Sequence, residues 1–182
     1  MPRIPVHTID SAPEASQETL RVLEKQFGKV LNIHGEMAHS PVTLAVNAAM
    51  NAAIAEHGTF DARTREAIAL AVGAVDDCAY CQAAHTLAAQ GAGLTEAQTV
   101  AIRRGAVDFD PKLDALLAVV REIAGEVGEV SDATWDAALG AGWTDAELTE
   151  AFAHVAANLY TNYFNHLART DLEFPAAPPL QR

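Results

Sequence analysis

Aromatic side chains make up only 6% of the 182 residues, basic residues number 12 against 24 acidic ones, and cysteine occurs twice. Each scarcity excludes something. A shortage of aromatic and β-branched bulk argues against sheets. The hydrophobic half of the chain is instead rich in alanine, which suits close packing of helix on helix. A formal net charge of −12 repels a nucleic-acid backbone or an anionic membrane over most of the surface, so neither is expected as a partner. No stretch approaches the roughly 18 to 20 consecutive apolar, uncharged residues of a membrane span. The amino terminus shows no basic-then-apolar signal pattern, and a cytoplasmic location is expected.

What remains points to an all-α, single-domain helical bundle, since the length suits one domain with an ample core. Residues 1–14, with Pro2, Pro5 and Pro13, read as an extended arm, 15–174 as the helical domain, and 175–182 as a tail that is loose or packed on a neighbour. The first helix is expected from about Ser16, with Gln17 to Val30 amphipathic. Gly35 to Ser40 then turns into a helix opened by Pro41 and closed by Gly58. Small side chains all round that helix, Leu44 and Ala45 through Ala55, suggest one sandwiched on several sides.

Asp61 caps the next helix, whose run from Ala67 to Val75 is apolar on every side and therefore belongs in a core. Further helices are expected over Pro111–Glu126, Ala133–Leu139 and from Asp145 to about Thr170. A short echo marks two joints: Gly91-Ala-Gly-Leu-Thr-Glu-Ala-Gln98 recurs as Gly140-Ala-Gly-Trp-Thr-Asp-Ala-Glu147. In each copy glycine closes one helix, while threonine and the Gln or Glu three residues on form a capping box for the next.

The chemistry concentrates in Glu66, Cys78, Cys81 and His85. Two thiols three positions apart make a poor structural staple in a reducing compartment, because the loop they close is too short to constrain much of the unfolded chain. A redox or metal role is the better expectation. On a helix beginning near Asp77, Cys78, Cys81 and His85 fall on one face, with both thiols near the positive end of the dipole and the imidazole one turn beyond Cys81. Proximity to the dipole favours Cys78 as the thiolate, and the neighbouring imidazole favours Cys81. Glu66 precedes the apolar run, and an antiparallel hairpin hinged at Asp76-Asp77 returns it toward His85 as a proton shuttle. Gly73 and the flanking alanines allow that close approach.

The Arg65-Glu66 pair, the apolar run and Cys78-Ala79-Tyr80-Cys81-x3-His85 resemble the alkylhydroperoxidase D-like branch of the carboxymuconolactone decarboxylase family. The arm, the stretch ending at Pro41 and the last helix with Asn158 to Asn165 are similar to its peroxidase-related members. The resemblance implies reduction of a hydroperoxide substrate at the expense of a dithiol or protein reductant, without a bound cofactor. By it, Cys81 would attack the peroxide, Cys78 would resolve the sulfenic acid as a disulfide, and Glu66 with His85 would relay the proton. It also implies homo-oligomers, commonly trimers or hexamers. Tyr80 stands where the best-known member has histidine. The alternative is a thiol–disulfide exchange or redox-sensing protein without peroxide turnover.

A zinc site would need a fourth ligand, from His34, His39, His57, His154 or Glu66, and no second Cys-x-x-Cys completes one, so no metal is expected. His154, Asn158, Asn162 and Asn165 form a polar stripe on the last helix, expected to face solvent or another subunit. Tyr80, Tyr160 and Tyr163 are expected as core or interface aromatics, and His7, His34, His39, His57 and His166 show no partner in sequence.

Overall fold

Most helix starts are set by a capping side chain. Ser40 accepts from the Thr43 N–H, Asp61 from Thr64, Asp110 from Leu113 and Ser131 from Thr134. Each such cap is worth about 1 kcal/mol. In the computed structural model, which describes residues 2–180, these caps open four of nine helices, and no strand occurs among the described residues. In chain order the helices are α1 (Glu14–Phe27), α2 (Asn32–Met37), α3 (Pro41–His57), α4 (Ala62–Val75), α5 (Ala79–Gly91), α6 (Glu96–Arg104), α7 (Pro111–Gly125), α8 (Asp132–Gly140) and α9 (Asp145–Ala168).

The two echoed joints share one geometry. Thr95 with Gln98 and Thr144 with Glu147 both close complete capping boxes. Gly93 and Gly142 take left-handed φ values of 94° and 92°, which glycine adopts without steric cost.

Helix α4 is the axle of the fold. Ala67 through Gly73 are all buried, and the helix packs against α5, α6, α7 and α9. On one side lies a large apolar cluster that includes Ile68, Leu70, Ile102, Leu116, Leu117 and Val155. On the other, a smaller cluster gathers Leu20, Leu23, Met37, Leu44 and Tyr80 around Cys78 and Cys81. Both thiols are thus built into an apolar interior.

Three expectations are corrected. First, α3 is not sandwiched: within it only Leu44 and Asn47 are buried. Val42, Ala45, Val46, Ala49, Ala52 and Ala53, at helical spacing, lie on its exposed side. Small side chains on every face fitted burial, but the chain supplies neighbours for one face alone. Second, the short helix α2 stands where a turn was expected. It has no side-chain cap and contains Gly35, so the sequence signal is weak, yet Ile33 through Met37 are all buried and packing holds it.

Third, the tail is held at Pro178, and residues 181–182 of the expected tail lie outside the described residues. The Arg103 Nη1 donates to the Pro178 carbonyl at 2.7 Å, so the tail lies across its own chain. The arm is held as well: the Arg3 N–H donates to the Ala168 carbonyl at 2.7 Å and the His7 N–H to the Gly35 carbonyl at 3.1 Å. A Cβ on Gly35 would meet the His7 carbonyl oxygen at 2.6 Å, so only glycine lets the arm lie this close. Among the described residues no helix is long and apolar enough to cross a membrane.

Candidate active site

The turn between α4 and α5 places the first thiol. The Cys78 N–H donates to the Gly73 carbonyl at 3.0 Å, spanning a left-handed Asp77 with φ of 52°. This is a helix-ending motif in which a six-residue hydrogen bond closes over one left-handed residue, a conformation aspartate tolerates better than most. The chain therefore leaves α4 and enters α5 with no slack, and Cys78 becomes the residue that caps α5. The expected helix start near Asp77 shifts by two residues, which moves Cys78 out of the first turn and onto the cap.

At that position the Cys78 sulfur accepts from the Cys81 backbone N–H at 3.4 Å. The two side chains also hydrogen-bond to each other, and both are buried, with 2% and 3% of their surface exposed. The Cys81 side-chain donor, helped by the Cys81 N–H, the His166 charge and Asn165, pulls the Cys78 pKa down to about 6 against the opposing effect of burial. Cys81 moves the other way. The neighbouring Cys78 sulfur, together with burial, holds the proton on its thiol. The two shifts run in opposite directions, so the surroundings favour the anion at Cys78 over the anion at Cys81.

Glu66 and His85 meet across the α4–α5 hairpin, at a register that the sequence left open. The His85 Nδ1 donates to Glu66 Oε2 at 2.8 Å, and both side chains are about a quarter exposed, at 29% and 24%. Glu66 therefore does not cross the core; it sits at the edge of the α4–α5 seam. His85 lies one turn beyond Cys81 but makes no hydrogen bond to either thiol among the described residues. Gly73 contributes less than expected, since a Cβ there would sit 3.6 Å from the Cys81 Cβ, an ordinary contact.

The Tyr80 hydroxyl is committed to the segment after α9. It donates to Glu173 Oε1 at 2.7 Å, and the Tyr80 ring meets Phe174 edge-on at 5.4 Å between centroids. Glu173 also pairs with Lys29 at 2.7 Å and accepts the Asn32 N–H. The residue between the cysteines thus anchors the segment after α9.

Sequence reasoning missed α9 as the fourth wall. Asn165 Nδ2 donates to the Cys81 sulfur at 3.2 Å and lies 3.9 Å from that of Cys78. Asn162 Nδ2 donates to Asp76 Oδ2 at 2.9 Å, on the turn that positions Cys78. His154, Asn162 and Asn165 are buried, so the polar stripe expected at solvent or a subunit boundary faces this chain's own interior. A signal was present: Leu148, Ala151, Val155, Asn162 and Asn165 follow one another at spacings of three, four, seven and three residues, so the amides continue an apolar, inward stripe.

His166 Nε2 bonds the Asp76 carbonyl at 3.0 Å, and His39 Nε2 bonds that of Pro5 at 2.8 Å. Tyr160 donates to the Thr43 carbonyl at 2.9 Å, while Tyr163 is 58% exposed. No three His, Cys, Asp or Glu side chains among the described residues converge on a point where a metal ion could sit. A cavity of about 550 Å³ between the arm and α1, lined by Val6, His7, Ile9, Arg21 and Val30, does not touch the thiols.

A buried dithiol at the start of a helix, walled by an acid–imidazole pair and set in this bundle, defines an alkylhydroperoxidase D-like fold. Residues 41–122 match the model of the Carboxymuconolactone decarboxylase family. An alkylhydroperoxidase AhpD core, an uncharacterized peroxidase-related protein from Ralstonia eutropha JMP134, is similar with a TM-score of 0.83 and 21% identity, over 94% of this chain and 92% of that one. A peroxidase-related protein from Silicibacter sp. TM1040 is similar with a TM-score of 0.76 and 19% identity, over 93% of each chain. A cysteine-to-alanine variant of the debrominase Bmp8, in complex with 2,3,4-tribromopyrrole, is similar with a TM-score of 0.79 and 16% identity, over 94% of this chain and 91% of that one. No curated protein matches the sequence. One fold therefore serves more than one chemistry, and the residues of the site must separate them.

Proposed function

We propose that the chain is a dithiol peroxidase that reduces hydroperoxides and is itself reduced by an external dithiol. The observation that carries this reading is the asymmetric thiol pair: the Cys78 sulfur caps α5 and accepts from the Cys81 N–H at 3.4 Å, which favours its anion, while burial beside that sulfur keeps the proton on Cys81. A thiolate is the nucleophile peroxide chemistry needs, and a retained proton is what its leaving group needs.

On this arrangement the roles reverse those the resemblance implies. The Cys78 thiolate attacks the hydroxyl-bearing oxygen of the peroxide; an S–O bond forms, the O–O bond breaks, and the alkoxide leaves. Cys81 gives its proton to the alkoxide. Once Cys78 is a neutral sulfenic acid, the anion that held the Cys81 proton in place is gone, so release becomes favourable. The Cys81 thiolate then attacks the Cys78 sulfur, forming the disulfide and expelling hydroxide, which takes a proton delivered through His85 and Glu66 and leaves as water. The external dithiol exchanges with the disulfide and returns the pair to its starting state.

The test is peroxide consumption with a small dithiol by the native protein and by Cys78→Ser and Cys81→Ser variants. Sulfenic acid on Cys78 in the Cys81→Ser protein supports Cys78 as the nucleophile and Cys81 as the resolving thiol. Oxidation of Cys81 alone at the native rate in the Cys78→Ser protein returns the roles to those of the resemblance. A second reading, thiol–disulfide exchange or redox sensing without peroxide turnover, draws on Tyr80, through which a change at the cysteines reaches the tail at Glu173. Dithiol oxidation without faster peroxide loss favours it. Replacing peroxide by 2,3,4-tribromopyrrole in the same assay tests for debromination, the activity that the structural neighbour's name gives.

The exposed apolar stripe of α3, Val42 to Ala53, is proposed as the face through which copies of the chain associate. Light scattering at micromolar concentration tests it, and a mass equal to one chain refutes it.

A further inference from the structure

One buried group beside the thiols has a donor in use and an acceptor with nothing to accept. Asn165 is 5% exposed; its Nδ2 contacts the Cys81 sulfur at 3.2 Å and lies 3.9 Å from that of Cys78. Its Oδ1 is fully buried and has no hydrogen-bond partner. A buried polar atom without a partner is unfavourable, and a side chain present only to fill space needs no amide. Nor can the thiolate satisfy that carbonyl, since a charged sulfur has no hydrogen to give. A group that completes the site, water or substrate, brings an O–H or N–H with it.

We propose that Asn165 is a catalytic residue that binds the attacked oxygen, with Oδ1 accepting the hydroperoxide O–H while Nδ2 donates to the sulfurs. This rests on the peroxidase reading and deepens it. The amide plane places a donor and an acceptor side by side next to the nucleophile. The O–H bond to Oδ1 fixes the hydroxyl-bearing oxygen, the one on which the S–O bond forms, against the sulfur. When the O–O bond breaks, the same hydrogen bond holds the sulfenic acid hydroxyl until Cys81 displaces it as hydroxide. Asn162, one turn earlier on α9, donates to Asp76 Oδ2 at 2.9 Å.

The test compares two electrophiles on native, Asn165→Ala and Asn165→Asp proteins: hydrogen peroxide, which carries O–H, and methyl methanethiosulfonate, which has no donor. Rates are taken above the thiol pKa of each protein, so that thiolate content is matched. Asn165→Ala is expected to slow the peroxide reaction on the order of 10- to 100-fold relative to the methanethiosulfonate reaction. Asn165→Asp keeps an acceptor oxygen in nearly the same shape, so its peroxide-to-methanethiosulfonate ratio is expected to lie closer to native than that of the alanine variant. Equal slowing of both reagents in both variants overturns the inference and leaves the peroxidase reading standing. A native protein that reacts with methanethiosulfonate but not with peroxide overturns both.

Discussion

The His85 Nδ1 donates to Glu66 Oε2 at 2.8 Å, joining α4 to α5 across nineteen positions of sequence. The pair lies at the edge of the α4–α5 seam and is partly open to solvent, while the sulfurs lie beneath the surface. That separation suits a route by which a proton enters from water and ends on the oxygen released at the thiols.

Glu66→Gln removes the charge that orients and supports the imidazole. Peroxide turnover is expected to fall on the order of 100-fold, at the low end of what a positioned acid or base contributes. Alkylation of Cys78, which needs no proton delivery, should change little. Stopped-flow peroxide loss beside alkylation timed by mass spectrometry checks both.

The Cys78 thiol should titrate near pH 6 because the Cys81 donors and the His166 charge stabilise its anion. Below about pH 6 the sulfur is protonated and alkylation is slow; above it the rate reaches a plateau, well before the ordinary thiol range near 9. His166→Gln removes one of those stabilising groups and should move the midpoint upward. A pH profile of alkylation on the Cys81→Ala protein would report a higher midpoint still, since its largest stabilising donor is gone.

Tyr80 gives the converse case. Tyr80→Phe deletes a hydrogen bond to a carboxylate that is 13% exposed, and about 1 kcal/mol of stability should be lost. Glu173 keeps Lys29 and Asn32, and peroxide turnover should be unchanged, because the hydroxyl is committed to Glu173 and bonds neither sulfur. Urea unfolding and the peroxidase assay together separate an anchoring phenol from one that relays protons.

His34 predicts an acid dependence of stability. Burial lowers its pKa from 6.5 to about 4, offset in part by Glu173. Above pH 6.5 the imidazole is neutral in both states. As pH falls through 6.5 the unfolded chain takes up a proton that the folded chain refuses until about 4, so stability declines across that window. The decline amounts to up to about 3 kcal/mol. Urea unfolding at pH 7.5 and 4.5 should show a smaller difference in His34→Leu than in the native protein.

Much of the bundle was legible because its signals are local. Pro41, Asp61, Thr95 and Thr144 mark helix starts that the chain uses, and the apolar run of α4 is buried as its composition requires. The hairpin that brings Glu66 to His85 follows from two helices and a two-residue hinge. What escaped depended on partners far along the chain. The outward face of α3 and the inward amides of α9 have compositions that fit either environment, and only packing decides between them. Cys78 as a cap, rather than a first-turn residue, turns on the left-handed Asp77, a backbone detail that no periodicity carries.

Peroxide reduction by the Cys78–Cys81 pair is tested most directly by mixing native protein with one equivalent of hydrogen peroxide, following peroxide loss by stopped flow and digesting the product without reduction. The expected result is peroxide loss much faster than in a Cys78→Ser/Cys81→Ser protein, together with a peptide pair linked through Cys78 and Cys81. Peroxide loss no faster than in that double variant, with both thiols still free, would contradict it.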